Sequence, residues 1–89
     1  MDKISVLIVD DSALMSNLFS RIVESAPNLC VAATAMNGQF ALEKIPLYKP
    51  DVIVLDVEMP VMNGLQFLQE RKNRGIDIPV VMLSSLTSN

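Results

Sequence analysis

Residues 50–60, Pro-Asp-Val-Ile-Val-Leu-Asp-Val-Glu-Met-Pro, decide the predicted fold class. The apolar residues 52–55 do not alternate with polar ones, which predicts a strand with both faces covered, as in the interior of a parallel sheet. Asp56 follows at once, and Pro60 prevents further sheet pairing because proline has no backbone N–H. A lone carboxylate there is more often a turn or capping residue. The segment nevertheless places Asp56 at the carboxyl end of a buried strand, where open α/β sheets bind their ligands.

Three other apolar segments rich in β-branched residues predict the remaining strands. They lie at residues 4–9, 29–34 and 79–83, and Pro79 is tolerated because it stands at the start of its strand. Apolar residues at helical spacing fill the intervals, so the element order is βαβαβαβ. Strands that alternate with helices predict an α/β fold with a doubly wound parallel sheet, right-handed crossovers and helices on both faces.

The three predicted helices have recognisable starts and ends. Asp10-Asp11-Ser12 is a capping signal before the first helix, which carries a broad apolar stripe. Asn37-Gly38 begins the second helix, and Pro46 should end or kink it near Ile45 because proline removes a helical hydrogen bond. The third helix is predicted over residues 65–74, with Arg and Lys in its last turn where they suit the helix dipole.

Composition excludes several classes of function. The chain has 89 residues, enough for one small domain, and a formal net charge of −3 without a run of Lys or Arg, which argues against binding nucleic acid through its phosphates. It contains no His, so histidine bases and histidine metal ligands are excluded. The Gly-x-Ser-x-Gly motif is also missing, which excludes an esterase site within these residues. The lone Cys30 can form neither a disulfide nor a metal site by itself.

The N-terminal sequence predicts a cytoplasmic protein. Met1-Asp2-Lys3 leads directly into the first strand, without the basic region and long apolar stretch of a secretion signal. No apolar run approaches the length needed to cross a membrane.

Three of the four predicted strands end in residues that carry polar oxygens. Asp10 and Asp11 follow the first strand, Asp56 follows the third and Ser84 follows the fourth. Separately these residues could be a helix cap and a strand-end hydroxyl. In a parallel sheet their strand ends share one edge, and a crevice opens there if the first and third strands are neighbours. Because neighbouring strands are ~4.8 Å apart, the three carboxylates would then crowd together.

Crowded carboxylates indicate a cation site. Three such groups repel one another, so at neutral pH they need protons or a cation. A site of oxygen ligands with room for water suits Mg²⁺, or Mn²⁺ in its place. Glu58 is expected to keep its side chain in solvent, with its backbone carbonyl near this site.

Three motifs stand at these strand ends. They are Val9-Asp10-Asp11-Ser12, then Leu-Asp-Val-Glu-Met-Pro-Val-Met-Asn-Gly at residues 55–64, and Pro-Val-Val-Met-Leu-Ser at residues 79–84. Together, in this order and spacing, they closely resemble the receiver domain of two-component response regulators. The resemblance implies a flavodoxin-like fold and a Mg²⁺-dependent reaction in which the domain accepts a phosphoryl group from a histidine kinase.

The resemblance also implies a role for each candidate residue. Asp56 would be the phosphoacceptor. Asp11 and Asp56 would be Mg²⁺ ligands, and Asp10 would hold the metal through water. Glu58 would contribute its backbone carbonyl, and Ser84 would be the switch residue whose hydroxyl turns toward the phosphoryl group.

Within that family the wording of the motifs most resembles the N-terminal receiver of chemotaxis protein-glutamate methylesterases. This implies a chemotaxis-type histidine kinase as partner and a methylesterase output domain in the parent protein. A receiver also has a fifth strand with a Lys that pairs with the phosphoacceptor, and residues 1–89 contain no counterpart of it. We therefore expect a partial receiver domain that lacks the fifth strand and the last two helices. Its fourth strand would then be an open edge, through which we expect a homodimer.

The residues alone leave other functions open. Asp11, Asp56 and the Glu58 side chain could form the metal site of a phosphohydrolase or nuclease. A flavin- or nucleotide-binding domain of similar topology would need a phosphate-binding loop after the first strand, where the acidic Asp10-Asp11 pair would repel phosphate. An interaction module with an inert acidic edge would bind no divalent metal. A stand-alone single-domain response regulator is a further alternative.

Overall fold

The computed structural model describes residues 3–56 and 62–83, in which strands and helices alternate as predicted. The strands are β1 (Ile4–Val9), β2 (Leu29–Ala35), β3 (Val52–Asp56) and β4 (Val80–Leu83), and the helices are α1 (Ala13–Glu24), α2 (Gly38–Tyr48) and α3 (Gly64–Asn73). None of the helices in this described part is long and apolar enough to cross a membrane. The predicted α/β fold class is confirmed.

The described strands form one parallel sheet in the order β2-β1-β3-β4. β1 pairs with both β2 and β3, so the condition for a crevice at the sheet edge is met. In the β1–β3 register Val9 is opposite Leu55. The next residues along the two strands are Asp10 and Asp56. The sheet therefore brings these two aspartates to the same level at the point where the strand order reverses.

One face of the sheet encloses the core together with α2 and α3. Leu7 and Val9 of β1 and Ile53 and Leu55 of β3 recur at every second position, so they share this face. Phe67 of α3 is completely buried among them and attaches that helix to the sheet. The remaining buried members of the cluster come from β2 and α2, and they are Ala35, Ala41, Leu42 and Ile45.

The opposite face of the sheet is covered over β1 and β2, which α1 contacts. Val6 and Ile8 of β1 are buried there. Val52 and Val54 of β3 are only half-buried, and Val81 of β4 is 50% exposed. The prediction that both faces of β3 are buried is therefore wrong for this face. The reason is that α1, the helix on this side of the sheet, lies over β1 and β2.

Much of the apolar stripe predicted for α1 is exposed. Leu14, Leu18 and Ile22 are all exposed, while Ser16 is buried. Ser16 contributes to a cleft with residues at the end of β2. Phe19 and Val23, which belong to the stripe, are half-buried. The stripe predicted the helix correctly, but most of its surface is not part of the described core.

Helix α2 continues past Pro46, so an end near Ile45, the first of the two predicted effects of this proline, is wrong, and the kink stays a prediction. Burial of an aliphatic side chain contributes about 1.5–3 kcal/mol, and Leu42 and Ile45 both pack into the core. Together they offset the ~3 kcal/mol that proline costs inside a helix. The helix ends after Tyr48, where Lys49 has a left-handed conformation with φ of 48° and donates its N–H to the Ile45 carbonyl at 2.8 Å.

Candidate functional site

Asp10 and Asp56 extend two neighbouring strands at one edge of the sheet. Asp56 is the last residue of β3. The backbone N–H of Asp10 donates to the Ala35 carbonyl at 3.0 Å, which continues the β1–β2 pairing by one residue. Asp11 comes next, where the chain turns toward α1. The backbone of the sheet thus sets the positions from which these carboxylates project.

The carboxylates of Asp10, Asp11 and Asp56 form one cluster. One oxygen from each residue lies within 4.8 Å of the other two. Asp10 is buried with 8% of its surface exposed, Asp56 is half-buried and Asp11 is exposed. The predicted crowding is therefore found in the structure, and the cluster is accessible to solvent from the side of Asp11.

The surroundings of Asp10 disfavour the ionised form of its carboxyl. Burial raises the pKa of its carboxyl above the ordinary value, and the charges of Asp56 and Asp11 raise it further. The Ser12 backbone N–H donates to its Oδ1 at 2.9 Å and opposes the shift, because that hydrogen bond favours the ionised form. With a raised folded-state pKa, the stability that protonated Asp10 contributes at low pH is lost as the pH rises through that pKa. A bound cation would offset this loss.

The cluster fits Mg²⁺ both in donor type and in size. Its donors are carboxylate oxygens, which are the ligands that Mg²⁺ prefers. Two oxygens bound to the same Mg²⁺ lie at most about 4.2 Å apart, which is twice the usual bond length. The oxygens of this cluster lie within 4.8 Å of one another. Small side-chain rotations, or a water between one carboxylate and the ion, are enough to bring them into range.

The segment Asp10-Asp11-Ser12 serves both α1 and the cluster. Ser12 is the N-cap of the helix, and its Oγ accepts the Met15 N–H at 3.2 Å. Its own backbone N–H binds the Asp10 carboxylate. The capping interpretation and the metal-site interpretation of this segment are therefore compatible, because the start of the helix helps to orient Asp10.

Two predicted site residues, Glu58 and Ser84, lie outside the described residues. Their roles stay predictions. The described residue before Ser84 is Leu83, which is paired with Asp56 across β3 and β4.

A cleft of about 460 Å³ beside the cluster was not anticipated from the sequence. Asp10 and Asp11 contribute to its lining, and Phe40 and Lys44 of α2 line it as well. Lys44 is fixed there, because its Nζ donates to the Thr34 carbonyl at 2.6 Å. Phe40 and Lys44 are four residues apart, so the sequence shows that they share a helix face. Nothing in the sequence indicates that this face borders the aspartates.

Comparison with known proteins identifies a family and relatives to which this chain is similar in sequence. Residues 6–89 match the family model of the response regulator receiver domain. The protein-glutamate methylesterase/protein-glutamine glutaminase of Treponema denticola is 60% identical over 86 residues, which cover 97% of this chain and 23% of the relative. The protein of the same name from Treponema pallidum is 59% identical over 83 residues, covering 93% of this chain and 21% of that protein. The chain thus spans less than a quarter of the length of these relatives.

Solved structures give the same result. The response regulator domain of Thermotoga maritima CheB superposes with a TM-score of 0.88 at 41% identity, covering 98% of this chain and 64% of that one. A structure of the P1 domain of CheA3 in complex with CheY6 from R. sphaeroides superposes with a TM-score of 0.80 at 38% identity, covering 97% of this chain and 67% of that one. The resemblance to receiver domains, and to those of protein-glutamate methylesterases in particular, is confirmed.

Proposed function

The chain belongs to the response regulator receiver domain family, and on that premise we propose that it accepts a phosphoryl group on Asp56 from a histidine kinase. The observation that carries this proposal is the position of Asp56. It ends β3 at the reversal of strand order and lies in one cluster with Asp10 and Asp11. A phosphoaspartate formed there would serve two-component signalling by shifting the balance between two arrangements of the surrounding loops.

Asp56 can attack phosphorus without a general base, because a carboxylate nucleophile has no proton to lose in the attack. In the proposed step an Asp56 oxygen bonds to phosphorus, the bond from phosphorus to the donor histidine nitrogen breaks, and the nitrogen keeps the electron pair. The transition state is loose, so the surrounding residues act by positioning and by charge. Bound Mg²⁺ would offset the repulsion between the carboxylates and the phosphoryl group. The test is a covalent adduct on Asp56, detected by mass spectrometry after incubation with phosphoramidate and Mg²⁺.

The described residues support different roles for the three aspartates. Asp11 and Asp56 are the proposed direct Mg²⁺ ligands, since both are at least partly exposed. Asp10 is buried and already accepts the Ser12 N–H, which suits the proposed role of holding the ion through water. We propose that the backbone carbonyl of Glu58 and the hydroxyl of Ser84 complete the site.

We further propose that residues 1–89 are part of a longer receiver domain with a methylesterase output domain in the parent protein. Support comes from the length of the methylesterase relatives, of which this chain covers less than a quarter. A fifth strand with its Lys and two further helices would complete the receiver. The proposed kinase is of the chemotaxis type, which the similarity to a CheY bound to a CheA domain supports. The proposed location is the cytoplasm.

Mg²⁺ is expected to bind the cluster weakly, and more tightly at neutral pH than near about pH 4. The metal binds the ionised form of a carboxyl group, so it competes with protons for the same oxygens. The raised pKa of Asp10 means that this group holds its proton to a higher pH than an ordinary aspartate. A titration with millimolar Mg²⁺, followed by NMR at the amides of Asp10, Asp11 and Asp56, measures the affinity at both pH values.

Two variants test which residues bind the ion in this titration. Asp11→Asn should weaken binding because it removes a proposed ligand. Glu58→Gln should leave binding nearly unchanged, because the proposed contribution of Glu58 is its backbone carbonyl. A phosphohydrolase or nuclease site that used the Glu58 side chain would instead lose its metal in this variant. Amides that do not move with millimolar Mg²⁺ in a folded protein would contradict the metal site altogether.

We also propose that the 89-residue chain forms a homodimer through the edge of β4. This strand is the outer member of the described sheet, next to β3, and it carries no charged residue. Val81 is 50% exposed. An outer strand of this kind presents N–H and C=O groups that can pair with a strand of a second molecule.

Light scattering over a concentration series should show a mass that rises from monomer to dimer. Val81→Lys should shift the equilibrium to monomer, because a charge on an edge strand opposes pairing. Leu65→Lys is the matched control. Leu65 lies on α3 and is 67% exposed, so this substitution introduces the same charge away from β4. A monomer at every concentration, or a dimer that survives Val81→Lys, would contradict the proposal.

A further inference from the structure

The cleft beside the carboxylate cluster has the size and the lining of a ligand site. Its volume of about 460 Å³ lies within the range of roughly 300–1,000 Å³ that is usual for such sites. Its walls come from the start of α1, the end of β2 and the first half of α2. The apolar part of the lining consists of Ala13, Ala35, Met36 and Phe40. A cation bound by the carboxylates alone would leave this part of the cleft unused.

Ser16 places a buried hydroxyl without a partner in the wall of this cleft. The residue is 9% exposed and belongs to α1. Its hydroxyl forms no hydrogen bond with any of the described residues. Every completely buried polar side-chain atom in this part of the chain has a partner, so the Ser16 hydroxyl must still be reached from the cleft. Buried polar groups are normally paired, because burial removes their hydrogen bonds to water. The Ser16 hydroxyl is therefore available to a ligand.

The charged groups of the lining favour a positively charged ligand. Two carboxylates, those of Asp10 and Asp11, face one ammonium group, that of Lys44. The Nζ of Lys44 is already bound to the Thr34 carbonyl at 2.6 Å. Within the described residues, neither aspartate forms an ion pair with this lysine. The negative charge of the cleft is thus not neutralised by its own lysine.

A guanidinium group fits these surroundings better than an ammonium group. It has five N–H donors in a plane and no acceptor, so it can donate to the Asp11 carboxylate and to the Ser16 hydroxyl oxygen together. Its flat face also stacks on aromatic rings, and Phe40 offers a ring that is 45% exposed. An ammonium group is compact and strongly hydrated, and it lacks this planar face.

The rim of the cleft favours an arginine that belongs to a polypeptide. Met36 is 62% exposed and lies in the lining together with Phe40. These two side chains offer an apolar surface to the residues on either side of a bound arginine. The chain also has a formal net charge of −3, which attracts a basic segment of a partner.

We propose that this cleft binds an arginine side chain of a partner polypeptide, with the guanidinium held by Asp11, Ser16 and Phe40. Because Asp11 is also a proposed Mg²⁺ ligand, the arginine and the ion compete for its carboxylate. Each ligand then weakens the binding of the other by the same factor. An occupied cleft would keep the chain unphosphorylated. The part that concerns Mg²⁺ and phosphorylation rests on the proposed function.

A titration of the 89-residue chain with the peptide acetyl-Leu-Arg-Leu-amide tests the site without metal. NMR follows the amides of the residues that line the cleft. The peptide should shift them in a saturable manner at millimolar concentration. The same peptide with lysine in place of arginine should bind at least about fivefold more weakly, because it loses the stacking and two of the donors. A peptide with citrulline, which keeps the shape but not the charge, should cause no saturable shift.

Protein variants identify the groups that hold the guanidinium. Phe40→Ala should weaken peptide binding about two- to fivefold, as expected for a cation–π contact at an exposed site. Ser16→Ala should weaken it about tenfold, because a hydrogen bond to a charged group is lost. Leu47→Ala is the control, since Leu47 is 75% exposed on α2 and does not line the cleft, and it should match the wild type. Mg²⁺ binding should be unchanged in all three variants.

The outcomes separate the cleft from the metal site. Equal affinity for the arginine and citrulline peptides, or wild-type affinity in both Ser16→Ala and Phe40→Ala, would overturn the arginine site. Free L-arginine that binds as tightly as the peptide would overturn the assignment to a polypeptide. An Mg²⁺ affinity that saturating peptide does not lower would overturn the competition. Absence of Mg²⁺ binding would refute the proposed metal site, while the titrations without metal would still decide whether the cleft binds arginine.

Discussion

Replacing Asp56 with asparagine should abolish phosphorylation of this chain while its fold is retained. The two side chains have nearly the same shape, but the amide has no ionised oxygen that can attack phosphorus. Asp56 is also the half-buried member of the cluster that ends β3, whereas Asp10 is buried and Asp11 lies beyond the end of β1. The measurement is intact mass after prolonged incubation with phosphoramidate and Mg²⁺.

Asp77→Asn is the matched control for this experiment. It makes the same change in charge at an exposed aspartate in the segment before β4, away from the carboxylate cluster. This variant should be phosphorylated at the wild-type rate. An adduct of equal yield in Asp56→Asn would mean that another residue accepts the phosphoryl group. The proposed function would then have to be abandoned in its present form.

Replacing Phe67 with alanine should have the largest effect on stability. Truncation of a buried phenylalanine costs about 3–5 kcal/mol, because apolar burial is lost and a cavity remains. Phe67 is completely buried between α3 and the sheet. A chain of this length has a free energy of unfolding of roughly 4–13 kcal/mol, so the loss is a large fraction of the total.

Urea denaturation monitored by circular dichroism measures this loss. Leu65→Ala is the control, since Leu65 lies on the same helix but is 67% exposed, and its truncation should change the free energy of unfolding by no more than about 0.5 kcal/mol. Equal midpoints for the two variants would show that α3 does not contribute to the core in the way that its burial indicates.

The sequence by itself determined the element order and the ends of the strands. The period of the apolar residues and the absence of a backbone N–H in proline are local properties, so they are readable without knowing what lies nearby. For this reason residues 52–55 predicted a strand that ends at Asp56, and the same argument applied to Asp10 after β1. That all strands run parallel followed from their alternation with helices, which brings the carboxyl ends to one edge.

The sequence could also mislead where local preference competes with packing. Pro46 predicted an end or a kink of α2 near Ile45, but the helix continues to Tyr48, and Leu42 and Ile45 are buried in the core. The apolar run of β3 predicted burial on both faces, and Val54 is only half-buried, because coverage depends on where α1 lies. In both cases the local structure depends on packing between segments that are distant in the chain.

Only the tertiary structure decided how close the functional groups are. It placed β1 beside β3 and so brought the carboxylates of Asp10, Asp11 and Asp56 within 4.8 Å. It also placed Lys44 in the cleft beside them, and Gly38 against Met62. Such distances arise from the register of strands and the docking of helices. They depend on the combined packing of the whole sheet, which no single segment of sequence specifies.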